Sequence, residues 1–262
     1  MPALRIGSFE LYYEVHGHGF PLVFAHGVGG NHASWFHQIP AFAGGYKMVL
    51  FDQRGFGNSR DAPDGPGRSR FVEDLAALLD HLEISKAALV AQSMGGGTCA
   101  NFTVRYPKRV QALVLADTLV GMKLPEAIRQ RVAAVEKAMD GRSQLERVLG
   151  ETFRKRDAAG SELYAALASF NSVNRKTLPG TFGEGCTPEQ LAATGVPILF
   201  MAGQEDVLYP PDIVADVHQL VKGSRYTELP QAGHSAYFEN PAAFNQAVLH
   251  FLAEVGVRQE PQ

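Results

Sequence analysis

Cysteine is scarce in this sequence, which limits how the fold can be stabilised. Only two occur among 262 residues, Cys99 and Cys186, and neither belongs to a CxxC pair or to a paired Cys/His spacing. The pattern argues against a disulfide framework or a zinc site and indicates two free thiols. A chain of this length can bury a large core without such cross-links.

Strong net charge and long apolar runs are also missing. The formal net charge is −3, so we expect no basic field that would attract nucleic acid or an anionic membrane. No apolar run reaches the roughly 18 residues of a membrane helix, and residues 1–6 lack the features of a secretory signal. We expect a cytoplasmic protein that acts on a small molecule; the sequence favours no oligomeric state.

Strand-like and helix-like segments alternate along the chain. The short runs that are typical of strands lie at 9–16, 21–26, 47–52, 87–91, 110–116, 196–202 and 225–229. Leucines at helical spacing predict a helix over 69–82, and a last helix begins near Pro241. Buried strands that alternate with helices predict an α/β fold, with a mostly parallel central sheet flanked by helices.

One long interval, residues 119–190, shows no convincing strand. Helical patterns occur instead at 125–139, 143–155 and 161–170. We therefore expect residues 119–190 to form an inserted helical lid, and residues 1–118 and 191–262 to form the core domain. The alternative is an ordinary pair of helices that cover the sheet.

Ser93 lies where a predicted strand turns into a glycine-rich helix. Such a turn holds a serine hydroxyl in an exposed, strained position, and it needs small residues two positions away on either side. Ala91 and Gly95 meet this need, although glycine is usual at the first position. The pattern predicts that Ser93 is a nucleophile; the alternative is a serine in a plain glycine-rich turn.

An earlier glycine-rich loop, at residues 26–30, also follows a predicted strand. Its flexible backbone can aim the Val28 N–H at the same point as the Met94 N–H, which lies at the positive end of a helix. We predict that these two groups form an oxyanion hole. His26 is interpreted as a structural residue that holds the loop.

An acid and a base are predicted at the ends of other strands. His234 follows the run at 225–229, and Asp206 follows the run at 196–202, so both lie at the sheet edge where Ser93 is expected. The chain order Ser93, Asp206, His234 is that of a Ser–His–Asp triad on an α/β sheet. Asp117, after the run at 110–116, is an alternative acid.

Together these motifs resemble the α/β-hydrolase superfamily. The resemblance rests on His26-Gly27, the segment 52–59, Ser93, Asp206 and Gly233-His234. Within the superfamily, the size and the lid are similar to those of bacterial 3-oxoadipate enol-lactonases, small carboxylesterases and meta-cleavage product hydrolases. The resemblance implies the α/β-hydrolase fold, Ser–His–Asp chemistry without a metal or cofactor, and a structural role for 52–59. The serine at position 93 argues against the subclasses that use aspartate as nucleophile.

The substrate is expected between Ser93 and the lid. Apolar residues in the surrounding segments are candidate walls: Trp35, Met94, Leu119, Met122, Phe153, Phe170, Phe182, Leu208 and Tyr209. We single out Trp35, Met122, Phe153, Phe182 and Tyr209, with Trp35 first because it is the only tryptophan.

The predicted reaction is hydrolysis of a small ester, lactone or vinylogous diketone through an acyl-enzyme. Carbon–carbon bond hydrolysis and a cofactor-free haloperoxidase or perhydrolase activity are alternatives. So is a ligand-sensing module with slow turnover. The basic run 154–156 is interpreted as a solvated helix face rather than a site for an acidic substrate.

Overall fold

A computed structural model describes residues 2–259, with eight strands in one sheet. The strands are β1 (Ala3–Ile6), β2 (Phe9–His16), β3 (Phe20–Ala25), β4 (Tyr46–Phe51), β5 (Ala87–Gln92), β6 (Val110–Ala116), β7 (Ile198–Gly203) and β8 (Arg225–Leu229). Their order across the sheet is β1-β2-β4-β3-β5-β6-β7-β8. The first two pairings are antiparallel and the rest are parallel, so the prediction of a mostly parallel sheet is confirmed.

The seven predicted strands are all present, with ends that differ by at most a few residues. The sequence did not reveal β1, which pairs with β2 at the edge of the sheet. This strand has four residues that alternate between exposed and half-buried, so it lacks the apolar run by which the others are recognised.

Helices precede or follow most of the strands. They are α1 (Ile39–Phe42), α2 (Phe71–His81), α3 (Met94–Arg105), α4 (Glu126–Ala138), α5 (Gln144–Val148), α6 (Glu151–Arg156), α7 (Ala158–Ser169), α8 (Pro188–Ala193), α9 (Pro211–Leu220), α10 (Ala236–Glu239) and α11 (Pro241–Glu254). The predictions of a helix within 69–82 and of a last helix at Pro241 are confirmed.

Two apolar layers hold these helices against the two faces of the sheet. Val23 of β3 points into a layer shared with α2, α3 and α9, while its neighbour Phe24 points into a layer shared with α1 and α11. Since successive side chains of a strand face opposite ways, each buried strand contributes to both layers. The burial of each large apolar side chain stabilises the fold by about 1.5–3 kcal/mol.

Five helices, α4 to α8, lie between β6 and β7. Their apolar side chains join both core layers, Ile128 on one face and Val148 on the other. The isolated bridge between Met122 and Cys186 ties the two ends of this segment together. The structure therefore shows helical structure over most of 119–190, whereas its division from the core as a lid stays a prediction.

The single helix predicted over 143–155 is wrong, because the chain breaks it into α5 and α6. Leu149 adopts an extended conformation (φ −122°, ψ 134°), and Gly150 donates its N–H to the Glu239 carboxylate at 2.7 Å. The periodic apolar pattern runs through the break, so the periodicity alone does not reveal it.

The loop after β4, within the segment 52–59, is held by the Asp52 carboxylate. Asp52 accepts the N–H groups of His32 at 2.6 Å and Asn58 at 2.8 Å, and it contacts the His32 ring at 2.8 Å. Gly57 has a φ of +49°, and a Cβ there would collide with the Asp52 carboxylate. These contacts use the polar groups of the segment to shape the loop.

Both cysteines are buried free thiols, which confirms that prediction. Within residues 2–259, no helix combines the length and the apolar character that crossing a bilayer requires. Over the same range, no group of three or more His, Cys, Asp or Glu side chains converges in a way that would hold a metal ion.

Candidate active site

The carboxyl ends of four adjacent strands bring the polar residues of the site together. Ser93 follows β5, Asp117 follows β6, Asp206 lies just beyond β7, and His234 lies beyond β8. Parallel strands end at the same edge, so residues far apart in sequence meet there.

Ser93 has a strained backbone, with φ 49° and ψ −119°. Its N–H donates to the Ala116 carbonyl at 3.1 Å, and its carbonyl accepts the Thr118 hydroxyl at 2.6 Å. A Cβ on Gly95 would collide with the carbonyl oxygen of Ala25, which explains the glycine two residues on. Such a conformation costs on the order of 1–3 kcal/mol and persists only because its surroundings hold it.

Ser93, His234 and Asp206 form a continuous hydrogen-bond chain. The His234 Nε2 lies 2.8 Å from the Ser93 Oγ, and the His234 Nδ1 lies 2.9 Å from the Asp206 Oδ2. The other Asp206 oxygen accepts the N–H groups of Leu208 at 2.7 Å and Tyr209 at 3.0 Å. With its proton on Nδ1, facing the carboxylate, the imidazole leaves Nε2 free to accept the hydroxyl proton.

Asp117, the alternative acid, is directed elsewhere. Its two oxygens accept the N–H groups of Gly203 at 2.8 Å and Ala236 at 3.3 Å. Burial raises the pKa of Asp117 well above its usual range, and the nearby Asp206 carboxyl adds to the rise. The geometry therefore favours Asp206 as the partner of His234, and Asp117 ties the ends of β6, β7 and α10 together.

Three side chains that the sequence analysis missed support the His234 loop. Gln92 donates to the His234 carbonyl at 2.6 Å, and the Ser235 hydroxyl donates to the Tyr164 hydroxyl at 3.0 Å. Glu239 accepts the N–H groups on both sides of His234. A polar residue inside the apolar strand β5 was a visible signal for Gln92; Tyr164 and Glu239 have no comparable local signal.

The predicted oxyanion donors lie beside Ser93. Val28 and Met94 line the same cavity as Ser93, and Met94 begins α3, so its N–H has no acceptor within the helix. A Cβ on Gly27 would collide with the Gln92 amide, which shows how closely this loop approaches the end of β5. The role of both N–H groups stays a prediction.

His26 is a fully buried part of the scaffold. Its Nε2 accepts the Gln53 N–H at 3.0 Å, and its Nδ1 donates to the Gly27 carbonyl at 2.7 Å. Burial lowers the pKa of His26, which keeps the ring neutral and suits these two bonds. Its contacts fit the interpretation of His26 as a structural residue.

A cavity of about 490 Å³ opens over Ser93 and His234. Five of the candidate wall residues line it: Met94, Leu119, Met122, Leu208 and Tyr209. The Tyr209 ring lies 5.8 Å from the His234 ring, between centroids.

Trp35 does not line this cavity, so the prediction for it is wrong. The side chain is fully buried, with its ring 4.4 Å from that of Tyr237 and 5.2 Å from that of Phe24. It fills the layer between the sheet and α11, below the site. A single aromatic residue after a functional loop can face either the core or the cavity, and the sequence does not distinguish the two.

The other aromatic candidates of the helical segment also lie elsewhere. Phe153 packs on Phe238 at 5.9 Å, and Phe182 packs on Phe71 at 6.1 Å, between ring centroids. Phe170 is 69% exposed. The predictions for Phe153, Phe182 and Phe170 as cavity walls are therefore wrong, because Phe153 of α6 and Phe182 of the loop before α8 pack against other apolar side chains, and Phe170 points to solvent.

Comparison with known proteins agrees with this architecture. A family model described as the alpha/beta hydrolase fold matches residues 21–241. A Mycobacterium tuberculosis protein named as a candidate non-heme bromoperoxidase is 32% identical, over 94% of this chain and 98% of its own. The 3-oxoadipate enol-lactonase 2 of Acinetobacter baylyi is 30% identical, over 87% and 86%. The structure of a thermophilic esterase from Thermogutta terrifontis superposes with a TM-score of 0.80, at 26% identity over 94% of each chain.

Proposed function

The chain belongs to the α/β-hydrolase fold family, and we propose that it is a serine hydrolase that cleaves a small ester or lactone through an acyl-enzyme on Ser93. The observation that carries the proposal is the hydrogen-bond chain from Ser93 through His234 to Asp206, at distances of 2.8 and 2.9 Å. The relatives named as an esterase and an enol-lactonase support the same reaction class.

The proposed reaction follows from this geometry. The Ser93 Oγ attacks the substrate carbonyl while His234 Nε2 takes its proton, and the imidazolium then gives that proton to the leaving oxygen. The Val28 and Met94 N–H groups bind the oxyanion, each contributing about 3 kcal/mol in the transition state. Water, deprotonated by His234, then cleaves the acyl-enzyme.

We also propose that the helical segment 119–190 acts as the lid of the site. Cavity-lining side chains from α4, α5 and α7 support this, with Val132, Arg147 and Tyr164 as examples. The substrate would therefore lie between the sheet edge and these helices, whose side chains would set its size.

The experiment compares initial rates on a panel of p-nitrophenyl esters and small lactones. We expect wild-type turnover to fall by up to about a million-fold in Ser93→Ala, since the triad acts as a unit. Ser8→Ala, at an exposed position before β2, is the control and should keep full activity. Equal turnover by wild type and Ser93→Ala would refute the role of Ser93. No turnover by either folded protein, with tight ligand binding, would favour a ligand-sensing role.

A second candidate function is perhydrolysis, because one relative at 32% identity is named as a candidate non-heme bromoperoxidase. In this reaction hydrogen peroxide replaces water in the second step and releases a peracid, which then oxidises bromide. The test is peroxide-dependent bromination in acetate buffer, by wild type and by Ser93→Ala. Bromination that exceeds ester hydrolysis and needs Ser93 would favour this candidate.

A further inference from the structure

The cavity over Ser93 is lined by more basic than acidic side chains. Five basic residues line it, and Glu136 is the only acid among the lining residues in the described part of the chain. Glu136 already contacts one of them, Arg175, at 3.5 Å. Negatively charged side chains are therefore scarce around the space where a substrate would lie.

Arg147 of α5 is the most enclosed of these basic groups. Only 7% of the residue is exposed, and its guanidinium donates to the Met139 carbonyl at 3.1 Å. No aspartate or glutamate among residues 2–259 forms an ion pair with it. Burial lowers the pKa of Arg147 and the nearby Arg175 adds to this, while Glu136 and Asp140 oppose it.

Arg68, which is half-buried, also lines the cavity. Its Nη2 donates to the Leu178 carbonyl at 3.2 Å, while its Nε is buried without a hydrogen-bond partner in the described structure. Burial lowers the pKa of Arg68. Arginine stays charged in proteins, so both groups hold a cation in a poorly compensated setting.

Arg54, a buried arginine outside the cavity, shows how this chain neutralises such a charge with its own carboxylates. Arg54 is 6% exposed, about as buried as Arg147. It donates two hydrogen bonds to the Asp74 carboxylate, at 2.8 and 2.7 Å, and contacts Asp61 at 3.3 Å. Arg147 has no such carboxylate partner among residues 2–259, and leaving a buried charge unpaired is strongly unfavourable unless another anion binds it.

We propose that the cavity accepts a substrate with a carboxylate separate from the acyl group that Ser93 attacks, and that Arg147 binds this carboxylate. The inference rests on the proposed hydrolase function for the reacting end of the substrate. A guanidinium presents paired N–H donors that match the two oxygens of a carboxylate. The apolar walls at Leu119 and Val132 suit the aliphatic part of an organic acid.

The first test compares two esters that differ only in charge, p-nitrophenyl hydrogen pimelate and its neutral methyl ester. We expect wild type to prefer the acid. Arg147→Gln should lower the preference for the acid by about 10- to 100-fold, mainly through KM, since a charge-assisted hydrogen bond contributes this much. Arg147→Lys should keep part of the preference. Arg142→Gln removes the same charge at an exposed position outside the cavity and is the matched control.

The second test does not depend on turnover. Pimelate is titrated by calorimetry into Ser93→Ala protein with and without Arg147→Gln, and we expect its Kd to rise about tenfold or more in the double variant. Binding that depends on Arg147 without hydrolysis of either ester would sustain this inference while the hydrolase proposal failed. Inorganic phosphate that binds in place of pimelate would overturn the carboxylate assignment.

Thermal melting without ligand separates binding from a structural role. If Arg147 serves a ligand, Arg147→Gln should melt at the wild-type temperature or above it, because an uncompensated buried cation is removed. A clear fall in Tm, equal losses on both esters, or a wild type without preference for the acid would each refute the inference.

Discussion

Replacing Glu239 with glutamine should weaken the loop that carries His234. Glu239 is 2% exposed, and its Oε2 accepts the N–H groups of Gly150 at 2.7 Å and Gly233 at 2.9 Å. Its Oε1 accepts the Ser235 N–H at 3.0 Å. One carboxyl group therefore joins the start of α6 to both neighbours of His234.

The size of the effect follows from the chemistry of the amide. A carboxyl group can accept hydrogen bonds through both oxygens even when it is protonated. Glutamine has one acceptor oxygen, so it can keep the two bonds of Oε2 only by turning its NH₂ towards the Ser235 N–H. The buried donor then faces another donor, which costs about 1–3 kcal/mol. In a chain of this size each kcal/mol lowers Tm by about 2–4 °C. At pH 5 we expect Glu239→Gln to melt several degrees below wild type.

The same substitution should change how stability depends on pH. Burial raises the pKa of Glu239 to about 7, with the Asp206 charge adding to the rise and the backbone N–H groups opposing it. The folded protein thus keeps a proton that the unfolded chain releases near pH 4.5, the ordinary glutamate value. The stability that this retained proton gives the folded protein is fully present below pH 4.5 and is lost as the pH rises to about 7. Glutamine does not titrate, so the gap between the two proteins should narrow over this window.

Thermal melts of both proteins from pH 5 to pH 8 test this reasoning. Glu162→Gln, at an exposed position on α7, is the matched control and should change stability by less than about 0.5 kcal/mol. A Glu239→Gln protein as stable as wild type at pH 5 would refute the hydrogen-bond argument. A gap that stays constant from pH 5 to pH 8 would show that the carboxylate is ionised throughout this range, because its backbone donors outweigh its burial.

Two further substitutions test the geometry of the site. Asp206→Asn should lower kcat by about 10⁴-fold with little change in the circular dichroism spectrum, because the amide would favour the wrong tautomer of His234; activity near wild type would show that another carboxyl orients the ring. Gly95→Ala should destabilise the fold by more than about 2 kcal/mol in urea unfolding, since its methyl would collide with the Ala25 carbonyl oxygen; wild-type stability would show that the turn relaxes at little cost.

Much of the fold, and the three residues of the hydrogen-bond chain, could be predicted from local sequence. The strands at 87–92 and 198–203 are recognisable because buried parallel strands need unbroken apolar runs. Ser93 stands out because a sharp strand-to-helix turn tolerates only small neighbours. Asp206 and His234 could be placed because parallel strands end at one edge, so chain order alone brings them to the side where Ser93 lies.

The walls and supports of the site depend on how the helices pack, and that was decided only in three dimensions. Trp35 is a residue type that often contacts substrates, but it lies in the core. In the sequence Arg147 is an ordinary charged residue of a helix, but in the structure it lines the cavity. The break before α6 and the support of the His234 loop both depend on Glu239, which is 89 residues from Gly150. A periodic pattern indicates which residues are buried. The partner of a buried polar group depends instead on contacts between distant segments. These contacts exist only once the chain has folded.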